Sequence, residues 1–594
     1  MADKAELKKL GQFFHDIRTS RGITLKEAAG NWSLSNLSRF ERGEQDLSAD
    51  KAVDLMARLG IESDDFYQYY ESRRQNFPNI ILNYALSYDR KFVEEWQASY
   101  QSAHPIRTKI TDYAAVMFDV AIHWHDANYD LNAEQEQILA DRLAVPERFR
   151  ALEIGILKLI VGPASHELLT LLRQRIERLD STLVVRRDMR LLIVWLGALM
   201  AHDMALADDL QQQLTPVFNR PETSPLVTQY YSNWRFGVLA SQWLHVPTSE
   251  NEQSVITLID DLMVMNNRDD AFWFKNMFAR MHTAHVHHNL SIVDHPRFLV
   301  VSHNVAEMIQ HQRQYLDVGI TDVAAGQGQT ALRRFEAGET QLGFGTLVDI
   351  MGELALMPSQ VLDFIGQSSD YPHGGIGVWP IYRQMPKLSI EEAQQKCQQF
   401  ALQTQNKPIK VQRIQQFILN STIPGLVDSA IMKADAQIVA NELMRANVWY
   451  RMELLAFQAV INWLPTSQLL LLFHHGRHLF NKRAPIYGVT TYFFDGLGKA
   501  LVHVVSTESN ETSQQFIQEL KWMTGKNTAT PGAWSATGSW LVADVITAPT
   551  AKKHAKLQQY LQRSLRVGHV EAIAALKEDW QGLVPANYFE TKQR

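Results

Sequence analysis

The feature that most constrains this chain is an internal echo. Leu37-Ser38-Arg39-Phe40-Glu41-Arg42-Gly43-Glu44 returns 295 residues later as Leu332-Arg333-Arg334-Phe335-Glu336-Ala337-Gly338-Glu339, in a chain of 594 residues. Without a gap, 37–59 and 332–354 agree at Leu37, Arg39, Phe40, Glu41, Gly43, Glu44, Leu47, Val53, Asp54, Met56 and Leu59, eleven of 23 positions. A repeat at half the chain length implies two copies of one unit instead of a single large core. The echo continues beyond this block. Phe77-Pro78 has a counterpart in Tyr371-Pro372, and the stretch from Arg150 resembles the stretch from Tyr450, each followed by a proline, Pro163 and Pro465.

Residues 7–66 read as five short helices. Leu7, Leu10, Phe14 and Ile17 form one apolar stripe at helical spacing, and Gly22 closes that helix. Thr24 and Glu27 have the spacing of a capping box for a short helix over Leu25–Ala29. Ser33 is placed to N-cap a helix that ends near Arg42 at Gly43, and a fourth helix after Ser48 turns Ala52, Leu55, Met56 and Leu59 inward. This succession resembles a Cro/repressor-type helix-turn-helix. In that motif the third helix enters the major groove, which here presents Ser33, Ser35, Asn36, Ser38 and Arg39. Arg39 is long enough to reach guanine or a phosphate, with Arg18, Arg21 and Arg42 expected to position the DNA backbone. Glu41 reads as a structural ion-pair partner, and Arg39 is either available to DNA or held by Glu41 or Asp46.

The second copy departs from the first. One residue is missing before Leu332, Gly328 stands in for the cap Ser33, and Ala337 replaces Arg42. Residues 300–366 carry three basic side chains, Arg313, Arg333 and Arg334, against eight acids. A weaker reader is expected, with Thr330, Arg333 and Arg334 on its outward face. Charge gives the first copy little help either, since 1–66 holds ten Lys/Arg against twelve Asp/Glu and the whole chain is −6. DNA recognition would therefore rest on local geometry.

Each such segment is followed by about 220 residues of amphipathic helical windows (Glu147–Leu159, Glu167–Leu179, Met189–Met200, Ala434–Leu464, Thr512–Met523), suiting an array of helical hairpins. The expected fold is all-α: a helix-turn-helix over 1–70, a TPR-like repeat domain over 71–296, a divergent helix-turn-helix over 297–370 and a second TPR-like domain over 371–594, arranged as a pseudo-two-fold dimer in one chain. At roughly 150 residues per domain, the length also suggests four. The pattern resembles the Rgg/GadR/MutR family, through Leu37 to Glu44 and through the helix Trp449-Tyr450-Arg451-Met452-Glu453-Leu454-Leu455-Ala456-Phe457. The resemblance implies a cytoplasmic, non-enzymatic transcription regulator that binds a double-stranded DNA operator, with a short hydrophobic peptide as effector in the concave face of the repeat domain. Fusion would make the usual homodimer intramolecular. Two other readings stay open: a similar regulator with a non-peptide effector, and a helical-repeat scaffold whose helix-turn-helix units do not bind DNA.

Composition closes off other classes. Hydrophobic residues at 46% and charged residues at 21% describe a folded chain. The longest clean apolar run, Leu191–Ala201, is eleven residues, against the roughly 18–20 needed to span a bilayer. A single cysteine, Cys397, excludes an internal disulfide and fits a reducing compartment. Neither a phosphate-binding loop nor a Gly-x-Ser-x-Gly elbow occurs, and no cofactor is expected. The histidines His282, His285, His287 and His288 lack an identifiable third ligand and second shell, and the similar group His474, His475 and His478 reads as polar surface or groove residues. Gly374-Gly375-Ile376-Gly377 reads as a linker, and Trp124 and Trp243 as possible groove residues.

Overall fold

The computed structural model describes residues 4–62, 90–105, 107–143, 151–178, 184–218, 230–265, 268–283, 304–316, 318–323, 329–354, 378–382, 384–405, 407–482, 487–526, 531–567 and 569–589, with 65, 66, 69, 356, 358, 361 and 362. The described residues are helical throughout, joined by turns. The His285–His288 cluster, the 374–377 glycines and the Phe77-Pro78 and Tyr371-Pro372 pairs lie outside them. Among the described residues no helix is long and apolar enough to cross a membrane.

The chain forms two compact units, and neither is continuous in sequence. One comprises Met1–Gln75 with Ser302–Thr550, and the other Asn76–Val301 with Ala551–Arg594. The first unit thus gathers both helix-turn-helix segments and most of the second repeat segment. The second gathers the first repeat segment and the C-terminal helices.

In the first unit, helices Lys4–Ser20, Leu25–Ala29, Leu34–Glu41 and Ala49–Leu59 follow the apolar spacing, with Leu10, Phe14, Ile17, Leu37, Phe40, Leu55, Met56 and Leu59 buried. Thr24 and Glu27 form the capping box, which holds the Glu27 carboxyl below its ordinary value. Gly43 ends the third helix at φ 70°, where a side chain would also run into the Lys8 backbone. Both conditions favour glycine. The stretch Ala434–Leu464 is not one helix. Ser429–Arg445 ends with Ala446 extended, and a new helix, Arg451–Val460, starts where the Tyr450 amide donates to the Glu453 carboxylate at 3.0 Å.

That break has a purpose in packing, because it presents Arg451 and Glu453 to the first helix-turn-helix. Arg21 donates to both oxygens of Glu453 at 2.5 and 2.9 Å and to the Leu59 carbonyl. Arg451 donates to Glu62 at 3.3 Å, and its amide donates to Asp65 at 3.1 Å. All five side chains are buried. Burial pushes the Asp65 carboxyl up to about 6, against its hydrogen bonds and the nearby arginines, and pulls the neighbouring Lys407 amine down to about 8. At the 295 offset the second copy carries Leu316, Met357 and Gln360 where the first has Arg21, Glu62 and Asp65. These anchoring charges are therefore peculiar to the first copy.

In the second unit, Val184–Met200 is the central helix, with every residue from Leu191 to Leu199 that carries a side chain fully buried. Helices His166–Glu177 and Met204–Phe218 flank it, and Tyr231–His245, Ser249–Val264 and Arg268–Met281 continue as hairpins. Each buries one face only against its neighbours, which is why such arrays need successive pairs. The helix Ala551–Arg566, from the far end of the chain, packs against Ser249–Val264. Trp124 is core here, 4% exposed, which removes it as a groove candidate, while Trp243 is half-buried on Phe278 and His282.

Candidate nucleic-acid interface

Leu37 and Phe40 sink into the core and leave Leu34, Ser35 and Arg39 exposed along the Leu34–Glu41 helix, with Asn36 and Ser38 half-buried. Ser33 stands at the N-cap, but its hydroxyl makes no capping bond and remains at the surface. Leu34 is 46% exposed in the first turn of the helix. Helical periodicity assigns a leucine to the core, so nothing in the sequence pattern marks Leu34 as a surface residue.

The four basic residues expected at this surface have different fates. Arg18 is 9% exposed and donates to both oxygens of Glu41 at 2.6 and 2.7 Å and to the Ile23 carbonyl at 2.9 Å. It is a strut between the first and third helices, so its expected place on the DNA backbone is withdrawn. Arg21 is withdrawn for the same reason, being buried against Glu453. Arg42 is exposed, yet both faces of its guanidinium are engaged, by Glu44 at 2.8 and 2.9 Å and by the Ser38 hydroxyl. Arg39 alone among them makes no side-chain hydrogen bond or ion pair with the described residues. Neither Glu41 nor Asp46 holds it, because Arg18 occupies the one and the backbone amides of Leu47 and Gly345 occupy the other.

The second copy repeats the frame. Arg313 donates to Glu336 at 2.8 and 2.7 Å and to the Val318 carbonyl at 3.0 Å, each partner lying 295 residues after its counterpart. Arg18 and Arg313 share that offset although they lie outside the gap-free block, and this shared arginine is the sequence signal of the strut. On the helix Gln329–Glu336, Thr330, Arg333 and Arg334 are all exposed. Arg334, the counterpart of Arg39, is paired with Glu339 at 3.3 Å. Glu339 is the counterpart of Glu44. In the first copy Arg42 occupies Glu44 and so clears Arg39, whereas Ala337 cannot do the same for Arg334. Arg333 has no such partner among the described residues.

The two modules meet through equivalent residues. Phe344 N–H donates to the Leu47 carbonyl at 2.5 Å, and Ala49 N–H donates to the Leu342 carbonyl at 3.2 Å. Subtracting 295 turns each of these bonds into the other. Ser48 bridges Gly343, its own counterpart. Asp46 accepts from the Gly345 amide at 3.0 Å, and Gln341 donates to Asp50, a pair related by the same operation. Residue i touching j′ while j touches i′ defines an isologous contact, the signature of a two-fold axis. Phe344 adds an aromatic contact, its ring centroid 6.3 Å from that of Phe14 and 5.3 Å from that of Phe66.

The described histidines have other partners. His282 faces Glu252 at 3.2 Å, His475 meets the Ala446 carbonyl at 2.9 Å, and no group of three metal-ligating side chains occurs among the described residues. Cys397 is buried, which raises its thiol above the ordinary value.

No family model matches the chain. Among solved structures it is similar to the SHP pheromone receptor Rgg2 of Streptococcus dysgalactiae, with 14% identity and a TM-score of 0.37, over 47% of this chain and 100% of that one. It is also similar to PrgX in its complex with cCF10, with 11% identity and a TM-score of 0.34, over 46% of this chain and 90% of that one.

Proposed function

We propose that this chain is a DNA-binding transcription regulator whose two helix-turn-helix modules act as one two-headed reader, controlled by a short peptide bound in the helical-repeat segments. The observation that carries the reading is the isologous contact between the modules, with each third helix left exposed. A two-fold pair of third helices is what reads two half-sites of a duplex. In the first module Arg39 makes the base or phosphate contact, Ser35 and Asn36 approach closely, and Leu34 meets a thymine methyl group. Arg333 and Thr330 serve the second module, and Arg334 does so only after leaving Glu339. The pseudo-dimer is complete within a single chain, and its halves have diverged, so the operator has one well-defined and one degenerate half-site.

The peptide part rests on the resemblance carried by Leu37–Glu44 and Trp449–Phe457. A second reading, a regulator of the same build with a more polar effector, is favoured by one cavity. An open surface cleft of about 750 Å³ between Met204–Phe218 and Tyr231–His245 has Asp208, Gln211, Gln212, Thr215, His245 and the apolar Val246 among its lining residues. Asp208 faces His245 at 3.3 Å, and the bond to the Ser241 carbonyl together with Asp208 raises that imidazole above its ordinary value. Purified full-length protein titrated with DNA from its own upstream region, with and without short hydrophobic peptides, tests both. Binding that is sequence-selective and falls steeply with salt is expected. Sequence-indifferent binding would leave a scaffold as the better description, and a DNA affinity indifferent to every peptide would favour the polar effector.

A further inference from the structure

The helices Ser249–Val264 and Ala551–Arg566 pack against each other, and they are also each other's counterparts. At an offset of 302, buried Val255, Leu258, Ile259 and Leu262 fall on buried Leu557, Tyr560, Leu561 and Ser564. The buried face is therefore shared in register, as in a symmetric dimer. The charges are not. Ser249–Val264 carries Glu250, Glu252, Asp260 and Asp261 and no Lys or Arg, whereas Ala551–Arg566 carries Lys552, Lys553, Lys556, Arg563 and Arg566 and no acid. Buried Asp261 accepts from Arg566 at 2.5 and 3.0 Å and lies 3.3 Å from Arg563, its own counterpart.

We infer that the two halves have become obligate opposite partners: their self-matching contacts are charge-split, so that each accepts the other half and rejects a second copy of itself. Pairing two Ser249–Val264 helices would set Asp261 against Asp261 in a buried site, and pairing two Ala551–Arg566 helices would gather arginines there. Like charges in a desolvated contact are a strong bar to association, and unlike charges fix the partner. The helix-turn-helix contact independently bars self-pairing of the first module through Asp46 and Asp50, their counterparts Gln341 and Gly345 in the second being uncharged. Two first modules would oppose Asp46 to Asp50 twice, whereas the observed pairing gives Asp46 a backbone amide and Asp50 the Gln341 carboxamide. The covalent link then supplies the complementary half at high effective concentration. This inference requires no DNA binding.

The test is charge reversal in the full-length protein, read by amide hydrogen exchange. R563D with R566D places three acids at the contact, and exchange in both helices should rise by at least about tenfold. Adding D261R restores opposite signs and should return the exchange to near the parent rate, with Val184–Met200 protected throughout. If the double variant does not fold, D261R alone, which sets three arginines together, should raise exchange in the same two helices. Unchanged exchange in the variants, or a D261R that deepens the damage in the double variant, would overturn the inference. Failure to bind any operator would leave it intact.

Discussion

The two helix-turn-helix modules share a frame and differ in their working surface. Both use an arginine on the first helix to grip a glutamate at the end of the third, Arg18 with Glu41 and Arg313 with Glu336. Both end the third helix at a glycine with positive φ, Gly43 and Gly338. Only the first keeps the arginine of the shared position clear, since Arg39 is unpaired among the described residues while its counterpart Arg334 is held by Glu339. The cause is a single position, where Arg42 engages Glu44 while Ala337 leaves Glu339 to take Arg334. An exposed ion pair contributes little stability, so its consequence lies in which side chains remain free. The two modules thus differ at the surface and in the mounting and share the internal strut.

The mounting should show the largest effect. Arg21→Ala or Glu453→Ala leaves a buried partner uncompensated and should cost toward the upper end of about 3–5 kcal/mol, read as the urea midpoint of the full-length protein. The counterpart position holds the uncharged Leu316, so an unchanged midpoint would dissolve the contrast in mounting. Next, Arg18→Ala and Arg313→Ala should each cost toward the lower end of the same range of about 3–5 kcal/mol, and nearly equally. A large inequality between them would show that the frames differ after all.

Smaller effects fall on DNA. Arg39→Ala should lose about 1–3 kcal/mol of specific affinity in a fluorescence anisotropy titration, and Arg334→Ala less. Equal losses on a palindromic operator would show that Glu339 does not restrain Arg334. Arg42→Ala should weaken binding less than Arg39→Ala, by freeing Glu44 to capture Arg39, and should add little to that change in the double variant. Smallest of all, Glu339→Gln should strengthen binding by releasing Arg334, and a loss there would reverse the assignment.

Local patterns in the chain already disclosed much of this. The 295 offset showed two copies, the apolar spacing at Leu10, Phe14, Ile17, Leu37 and Phe40 marked helices and their buried faces, and Thr24 with Glu27 announced a cap. These are short-range facts, settled by helix period and by which atoms cap a terminus. The charged side chains were less legible. Arg18, Arg21, Arg39 and Arg42 look alike in sequence, and composition gives each the same chance of facing a phosphate. Their roles depend on where Glu41, Glu453 and Glu44 arrive, one of them 432 residues away from its arginine. A long flexible side chain has no period to betray its partner. The same holds for the opposed charges of Ser249–Val264 and Ala551–Arg566, plain in the sequence as two sets of residues and meaningful only once the helices were seen to touch. Sequence alone determined the copies, their helices and their buried faces, because those follow from contacts a few residues apart. The tertiary structure decided which arginine is free and which half accepts which, because those follow from electrostatic partners that only folding brings together.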